Sequence, residues 1–225
     1  MSDKTIISQP DPHKIKVLQH QQYVTVEHIA PATSPSDPLD LFRAWFTEAV
    51  QKNVQEPDAV TLATATAQGV PSARVVLFKE ADEQGFIFFT NYTSRKSKEL
   101  TENPNAALAF YWREIHRSVR AVGRVEKLTP EENEKYFHSR PVASQLGAWA
   151  SKQSSVIEEG TLEERLKKVT EKYGDDVPAP PFWGGWRIIP SEVEFWLGKP
   201  ARLHDRVHYV RANDAEGWRV ERLSP

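Results

Sequence analysis

Three apolar segments, residues 59–66, 72–79 and 86–90, follow one another with only short glycine-containing turns between them, and this spacing constrains the fold most. Residues 59–66 alternate small and apolar side chains, Gln68-Gly69 suits a turn, and Gly85 stands just before the third segment. Strands joined so closely read as antiparallel hairpins. Residues 106–112 and 117–128 are further strands, with Gly123 a bulge site. Strand patterns return at 186–189, 192–197, 206–211 and 218–223. No regular strand–helix alternation of the kind that builds a parallel sheet is present. The chain reads as mainly β with inserted helices, an α+β arrangement around an antiparallel core.

The helices carry their own start signals. Asp37 caps a helix whose first turn holds Pro38 and whose one face collects Phe42, Trp45, Phe46 and Ala49. Residues 94–103 form a short helix that stops before Pro104. Thr129-Pro130-Glu131-Glu132 has the form of a capping box, and its helix brings Tyr136 and Arg140 to one face. Thr161 with Glu164 repeats the signature. Residues 1–36, polar and rich in Gln, Ser and Pro, read as a mobile amino-terminal arm with a short extended piece at 23–26. Residues 37–225 read as a single domain.

Composition removes several functions. A net charge of -2 argues against broad nucleic-acid binding, which needs a strongly positive surface. With no cysteine, a disulfide scaffold, a thiolate metal site and a cysteine nucleophile are excluded. No apolar run approaches the roughly 20 residues that span a bilayer, and the first residues lack a secretory block. A soluble, cytoplasmic protein is expected. No glycine-rich phosphate loop and no GxSxG occurs, and His116, His138 and His208 have no metal-ligand spacing, so no metal is expected.

Basic residues gather in three regions. Arg74 and Lys79 bracket one strand, on opposite faces if it is regular; Arg95 and Lys96 follow Ser94 at a helix start, a position suited to a phosphate or equally to a solvated charged turn. Arg140, Ser144, Gln153, Ser154 and Ser155 surround a Gly147-Ala148-Trp149 step and read either as ligand contacts or as caps and turns. Arg202-Leu203-His204-Asp205-Arg206 is the third. If extended, it turns Arg202, His204 and Arg206 to one face, fit for an anion and a heterocycle, or it is a surface strand with internal ion pairs.

Taken in order, these segments resemble the pyridoxine/pyridoxamine 5'-phosphate oxidase family. The matching stretches are Arg74-Val75-Val76-Leu77-Phe78-Lys79, Thr90-Asn91-Tyr92-Thr93-Ser94-Arg95-Lys96 and Tyr136-Phe137-His138-Ser139-Arg140-Pro141. They continue through residues 147–155, Phe182-Trp183-Gly184-Gly185, Glu194-Phe195-Trp196 and residues 202–206. The ordering and flanks look closest to fungal members. The resemblance implies an FMN-binding split β-barrel with an antiparallel Greek-key core, working as a homodimer with FMN between subunits.

Residue by residue, the resemblance implies flavin contacts at Arg74, Lys79, Thr90, Arg95, Lys96, Gln153, Ser154, Trp196 and Arg206. The implied cofactor-binding set also includes Val75, Val76, Leu77, Phe78 and Phe89. It implies substrate contacts at Lys79, Tyr136, Arg140, Ser144, Arg202 and His204, with Arg202 and His204 catalytic. The implied reaction moves a hydride from C4' of pyridoxamine or pyridoxine 5'-phosphate to FMN, and oxygen takes the electrons as hydrogen peroxide. One position departs: the family usually has glutamine where this chain has Ser118, which is kept only as a flavin neighbour. A flavin or pyridoxal-phosphate carrier without oxidase activity, and a split-barrel reductase with another electron partner, are the alternative readings.

Overall fold

A computed structural model describes residues 22–213 and 216–225, together with a two-residue ladder pairing β1 (Ile7–Ser8) with β2 (Ile15–Lys16). The first helix, α1 (Pro38–Gln51), begins as its signals require: the Asp37 side chain accepts the Leu39 amide at 2.8 Å. Its apolar face buries Leu39, Phe42, Trp45 and Ala49.

The hairpin signals give β3 (Ala59–Ala65), β4 (Pro71–Ala81) and β5 (Phe86–Asn91). After α2 (Arg95–Glu102) come β6 (Asn105–Trp112) and β7 (Arg117–Lys127). Three helices follow, α3 (Pro130–Ser139), α4 (Val142–Ala150) and α5 (Thr161–Tyr173). The chain then returns to strands as β8 (Trp183–Leu197), β9 (Asp205–Val210) and β10 (Arg219–Arg222).

The strands run β10-β9-β8-β5-β4-β3-β6-β7, and β7 pairs back onto β8, so six of them close an antiparallel barrel. Within it β6-β3-β4-β5 has the Greek-key order, three hairpin-linked strands and a fourth returning beside the first. Closure removes the sheet edges that an open arrangement would expose.

The two segments expected at 186–189 and 192–197 are one strand. Residues 183–188 of β8 pair with β5 and residues 192–197 with β9, while β7 runs along the other edge. Pro190 is absorbed at a register shift opposite Val122 and Gly123, as the glycine predicts. A Cβ at Gly123 would lie 1.9 Å from the Ile189 carbonyl oxygen, so only glycine fits this bulge.

Phe42 anchors the core, its ring meeting Phe78, Phe86, Phe110 and Trp112 at centroid distances between 4.9 and 6.1 Å. A smaller cluster of Phe137, Leu146, Val177 and Trp183 seats α3, α4 and α5 beside the barrel.

Several local expectations change. At α5 the repeated capping box does not form: Gly160 at φ 80° is the cap and Thr161 is already helical. Arg140 is not on the face of α3 but caps its end in extended conformation, because Pro141 disfavours the helical backbone before it. Residues 23–26 join no strand. The expected amino-terminal arm is anchored over residues 22–36, where Glu27 pairs with Arg117 (2.6 Å), His28 with Asp205 (3.1 Å), and the Pro35 carbonyl accepts from the Tyr209 hydroxyl (2.8 Å). No helix among the described residues is long and apolar enough to cross a membrane.

Candidate functional site

β4 is the floor of the larger cavity, about 1010 Å³. Arg74 and Lys79 both line it, against the opposite-face expectation, because the β4–β5 register shifts between Phe78 and Glu80 and leaves Lys79 on a bulge. Val75, Val76 and Leu77 line the same floor, whereas Phe78 is buried in the core. Phe89 and Thr90 of β5, Arg95 and Lys96 of α2, Tyr136, Arg140, Ser144, Gln153 and Ser154 complete the wall. Fourteen residues far apart in sequence thus reach one space because the hairpins, α2 and the α3–α4 corner pack on the same side of the barrel.

The phosphate-suited corner is at the start of α2, where the Ser94 side chain caps the helix by accepting the Ser97 amide. Lys96 is buried and donates from Nζ to Thr90 Oγ1 (3.2 Å) and Gln153 Oε1 (2.9 Å). Burial and the nearby Arg74 charge lower its ammonium to about 8. Arg74 donates to the Leu62 carbonyl (3.1 Å), Thr64 Oγ1 (2.6 Å) and Ser72 Oγ, and pairs with Glu99.

The opposite corner is aromatic. The rings of Phe89 and Tyr136 stack at 3.7 Å, and Phe89 stacks on Trp183 at 5.4 Å. Arg140 lies with its guanidinium 4.6 Å from the Trp183 ring centre. Burial lowers its pKa, opposed by the Tyr136 charge. Its Nη1 is buried with no hydrogen-bond partner among the described residues. A buried guanidinium donor left unpaired is costly, and an anionic oxygen is the group that satisfies it.

The remaining site residues lie elsewhere. Ser118, Arg120, Glu194 and Trp196 line a second cavity of about 330 Å³ with Ala109 and Tyr111, and share no lining residue with the first. Register sets Ser118 beside Trp196 and Trp196 beside Arg206 across three strands. The Ser118 hydroxyl donates to the Phe110 carbonyl at 2.8 Å, so its proton is used within the sheet. Glu194 accepts from Arg206 Nε (2.6 Å) and Arg120 Nη2 (2.9 Å). Burial raises its carboxyl, but these bonds outweigh it and hold the group below the usual range.

Residues 202–206 are not one extended face. Arg202 sits in a tight turn at φ 62°, a left-handed conformation rare for arginine, and β9 begins only at Asp205. His204 Nδ1 accepts the Lys199 amide at 3.0 Å, so the neutral ring carries its proton on Nε2. Its ring rests against Trp196 (4.6 Å) and Tyr23 (5.6 Å). Sequence reasoning missed Glu99 and Glu194 as partners of the site arginines. For Glu99 the signal was available, four residues after Arg95; for Glu194 only the β8–β9 register reveals it.

Known proteins resemble this chain along most of its length. The family model described as pyridoxamine 5'-phosphate oxidase matches residues 46–196, and that for the pyridoxine 5'-phosphate oxidase C-terminal dimerisation region matches residues 183–225. A pyridoxine/pyridoxamine 5'-phosphate oxidase of Burkholderia thailandensis is 54% identical over 191 residues, 84% of this chain and 89% of that protein. Its namesake in Burkholderia orbicola is 54% identical over 196 residues, 86% and 92% of the two chains. The crystal structure of PhzG from Burkholderia lata 383, in complex with tetrahydrophenazine-1-carboxylic acid, superposes with a TM-score of 0.82 at 36% identity, covering 87% of this chain and 96% of that one. A pyridoxamine 5'-phosphate oxidase-related, FMN binding protein from Nostoc punctiforme shares the fold, with a TM-score of 0.66 at 19% identity over 82% of this chain and 97% of that one. The leaning toward fungal members finds no support, since these relatives are Burkholderia proteins.

Proposed function

Because the chain belongs to the pyridoxamine 5'-phosphate oxidase family, we propose that it oxidises pyridoxamine 5'-phosphate or pyridoxine 5'-phosphate to pyridoxal 5'-phosphate with FMN, passing electrons to oxygen to form hydrogen peroxide. The observation that carries this reading is the cationic wall of the large cavity, where Arg74, Lys79, Arg95, Lys96 and Arg140 converge and Arg140 keeps an unpaired buried donor.

That wall fits two phosphate dianions. Arg74, Arg95 and Lys96, with Thr90, Gln153 and Ser154 alongside, suit the flavin phosphate at the α2 start. Lys79, Tyr136, Arg140 and Ser144 suit the substrate phosphate, with the Phe89–Tyr136–Trp183 stack fixing the Arg140 plane from one side. The cavity volume, about 1010 Å³, is at the upper end of small-molecule sites, which suits two ligands together.

Flavin, when bound, supplies hydride acceptance and the passage of electrons to oxygen. This chain supplies orientation. Arg202 and His204 face the substrate ring in this reading. With Nδ1 held by the Lys199 amide, His204 offers Nε2–H as a donor rather than a free basic nitrogen. Trp196, Arg206 and Ser118 stand apart from the cavity of Arg74 and Arg140. We read the working enzyme as a homodimer in which one copy's Trp196 face covers the partner's cavity, and the match to a dimerisation region supports this. Residues 37–225 serve as one domain, since β8 alone pairs with β5, β7 and β9.

The likeness to PhzG favours a second reading, oxidation of a reduced carboxylated heterocycle without phosphate. Anaerobic addition of pyridoxamine 5'-phosphate to the purified flavoprotein should bleach it, and admission of air should yield peroxide. Bleaching by tetrahydrophenazine-1-carboxylic acid but not by the phosphorylated amine would transfer the assignment to the second reading. A protein that takes up no FMN overturns both.

A further inference from the structure

Glu99 lies in α2 one turn after Arg95, only 4% exposed, although a carboxylate is costly to bury. Four donors meet it. Thr64 Oγ1 of β3 donates at 2.5 Å, Ser72 Oγ of β4 at 2.6 Å, Arg95 Nε at 2.8 Å and Arg74 Nη2 at 3.4 Å. Burial raises its carboxyl, yet the bonds from Ser72, Thr64 and Arg95 and the Arg95 charge win and bring it to about 2. Four donors on its two oxygens favour the ionised form.

Its two cationic partners both line the large cavity. As like charges they repel one another: burial lowers the Arg74 pKa, Glu99 raises it, and the Arg95 charge adds to the lowering. The Arg95 side chain is 61% exposed and has no other ion partner among the described residues, so without Glu99 nothing charged ties it to the cavity. Glu99 takes the Nε of Arg95 and leaves both Nη groups for a ligand. On the other side it shares Arg74 Nη2 with Ser72.

We propose that Glu99 is a positioning residue for the flavin phosphate, holding Arg74 and Arg95 together as one receptor for a dianion. The role rests on the flavin reading above. It predicts that Glu99 governs selectivity for the phosphorylated flavin and not affinity for the flavin ring.

The test compares FMN and riboflavin binding to full-length apoprotein by quenching of flavin fluorescence, so that turnover is not needed. E99Q should weaken FMN by about 10- to 100-fold, the range for loss of charge-assisted hydrogen bonds, and riboflavin far less, since riboflavin has no phosphate for Arg74 and Arg95 to hold. R95Q should lose FMN selectivity too, and E99Q with R95Q should lose less than the sum of the single changes, because Glu99 acts through Arg95. A merely structural role would weaken both flavins alike. FMN selectivity retained in E99Q, or fully additive losses, overturns the role. If E99Q does not fold, S72A decides: it removes one donor to Glu99, and unchanged selectivity counts against the proposal while a several-fold loss supports it. Wild-type protein that binds neither flavin overturns the flavin reading itself, and this role with it.

Discussion

The large cavity and the Trp196 face both collect arginines, but they treat the charge oppositely. In the cavity Arg95, Lys96 and Arg140 line an open space, and Arg140 retains a buried Nη1 with no partner among the described residues. At the other face Glu194 pairs with both Arg120 and Arg206, Glu192 lies 3.7 Å from Arg120, and Asp205 accepts from Arg222 at 2.7 Å and from His28 at 3.1 Å. One region, the cavity, pairs Arg74 and Arg95 with Glu99 and Lys79 with Asp58. It leaves Lys96 and Arg140 without an anionic partner among the described residues, ready for an anion that comes from outside. The other has settled its charges within the chain and presents a shaped surface. The same residue type therefore signals ligand binding in one place and rigidity in the other, and the neighbours decide which.

Exchanging the key residue of each region should break the comparison most sharply. R140Q should lower kcat/KM for pyridoxamine 5'-phosphate by about 100- to 1000-fold, the cost of a lost hydrogen-bonded charge pair, while flavin content stays unchanged. Peroxide release and the flavin absorbance ratio measure the two separately, and a parallel loss of flavin would merge the two phosphate corners into one. E194Q should instead act on stability, lowering it by about 3 kcal/mol because two arginines lose a buried partner. Urea unfolding reads this directly; a loss confined to catalysis would mean that the Trp196 face is not internally settled.

The third test uses pH. Lys96 has an ammonium lowered to about 8, so it carries its charge below that pH and loses it above. A flavin phosphate is already a dianion above about 6. FMN affinity should therefore be flat from neutral pH to about 8 and then fall, by up to about 10-fold per pH unit for a single linked proton. K96M should abolish the slope in a fluorescence titration series. The smallest effect belongs to S118Q: a carboxamide replacing a hydroxyl already used by the Phe110 carbonyl should tighten FMN by about 3-fold, the worth of one net hydrogen bond. Unchanged binding and unchanged reoxidation would mean that Ser118 lies outside flavin contact.

Much of the barrel was legible because its signals are local. The turn at Gln68-Gly69, the cap at Asp37 and the capping box at Thr129 each act within a few residues, and each forms as read. What escaped reading depends on partners distant along the chain. Pro190 looks like a strand breaker until the β8 bulge takes it in, with Gly123 of β7 leaving it room. Arg74 meets Glu99 only because β4 and α2 pack together, and Arg206 meets Glu194 only through the β8–β9 register. The extended reading of residues 202–206 failed because alternation assumes a strand, whereas Ala201 and Arg202 take left-handed backbone. The three basic regions were visible as residue types; which of them stand with paired charge was not.

β8 gives the comparison a scale. Trp183, under Arg140, and Trp196, on the second face, are the two ends of this one strand. At about 3.3 Å per residue, the backbone between them runs roughly 40 Å, longer than either small ligand. In the homodimer reading, the strand thus acts as a ruler that spaces the two half-sites of one chain. In the proposed dimer this makes defects complementary: a copy damaged at Arg140 and a copy damaged at Trp196 could share one intact site between them, a bookkeeping of halves that a self-contained active site would never permit.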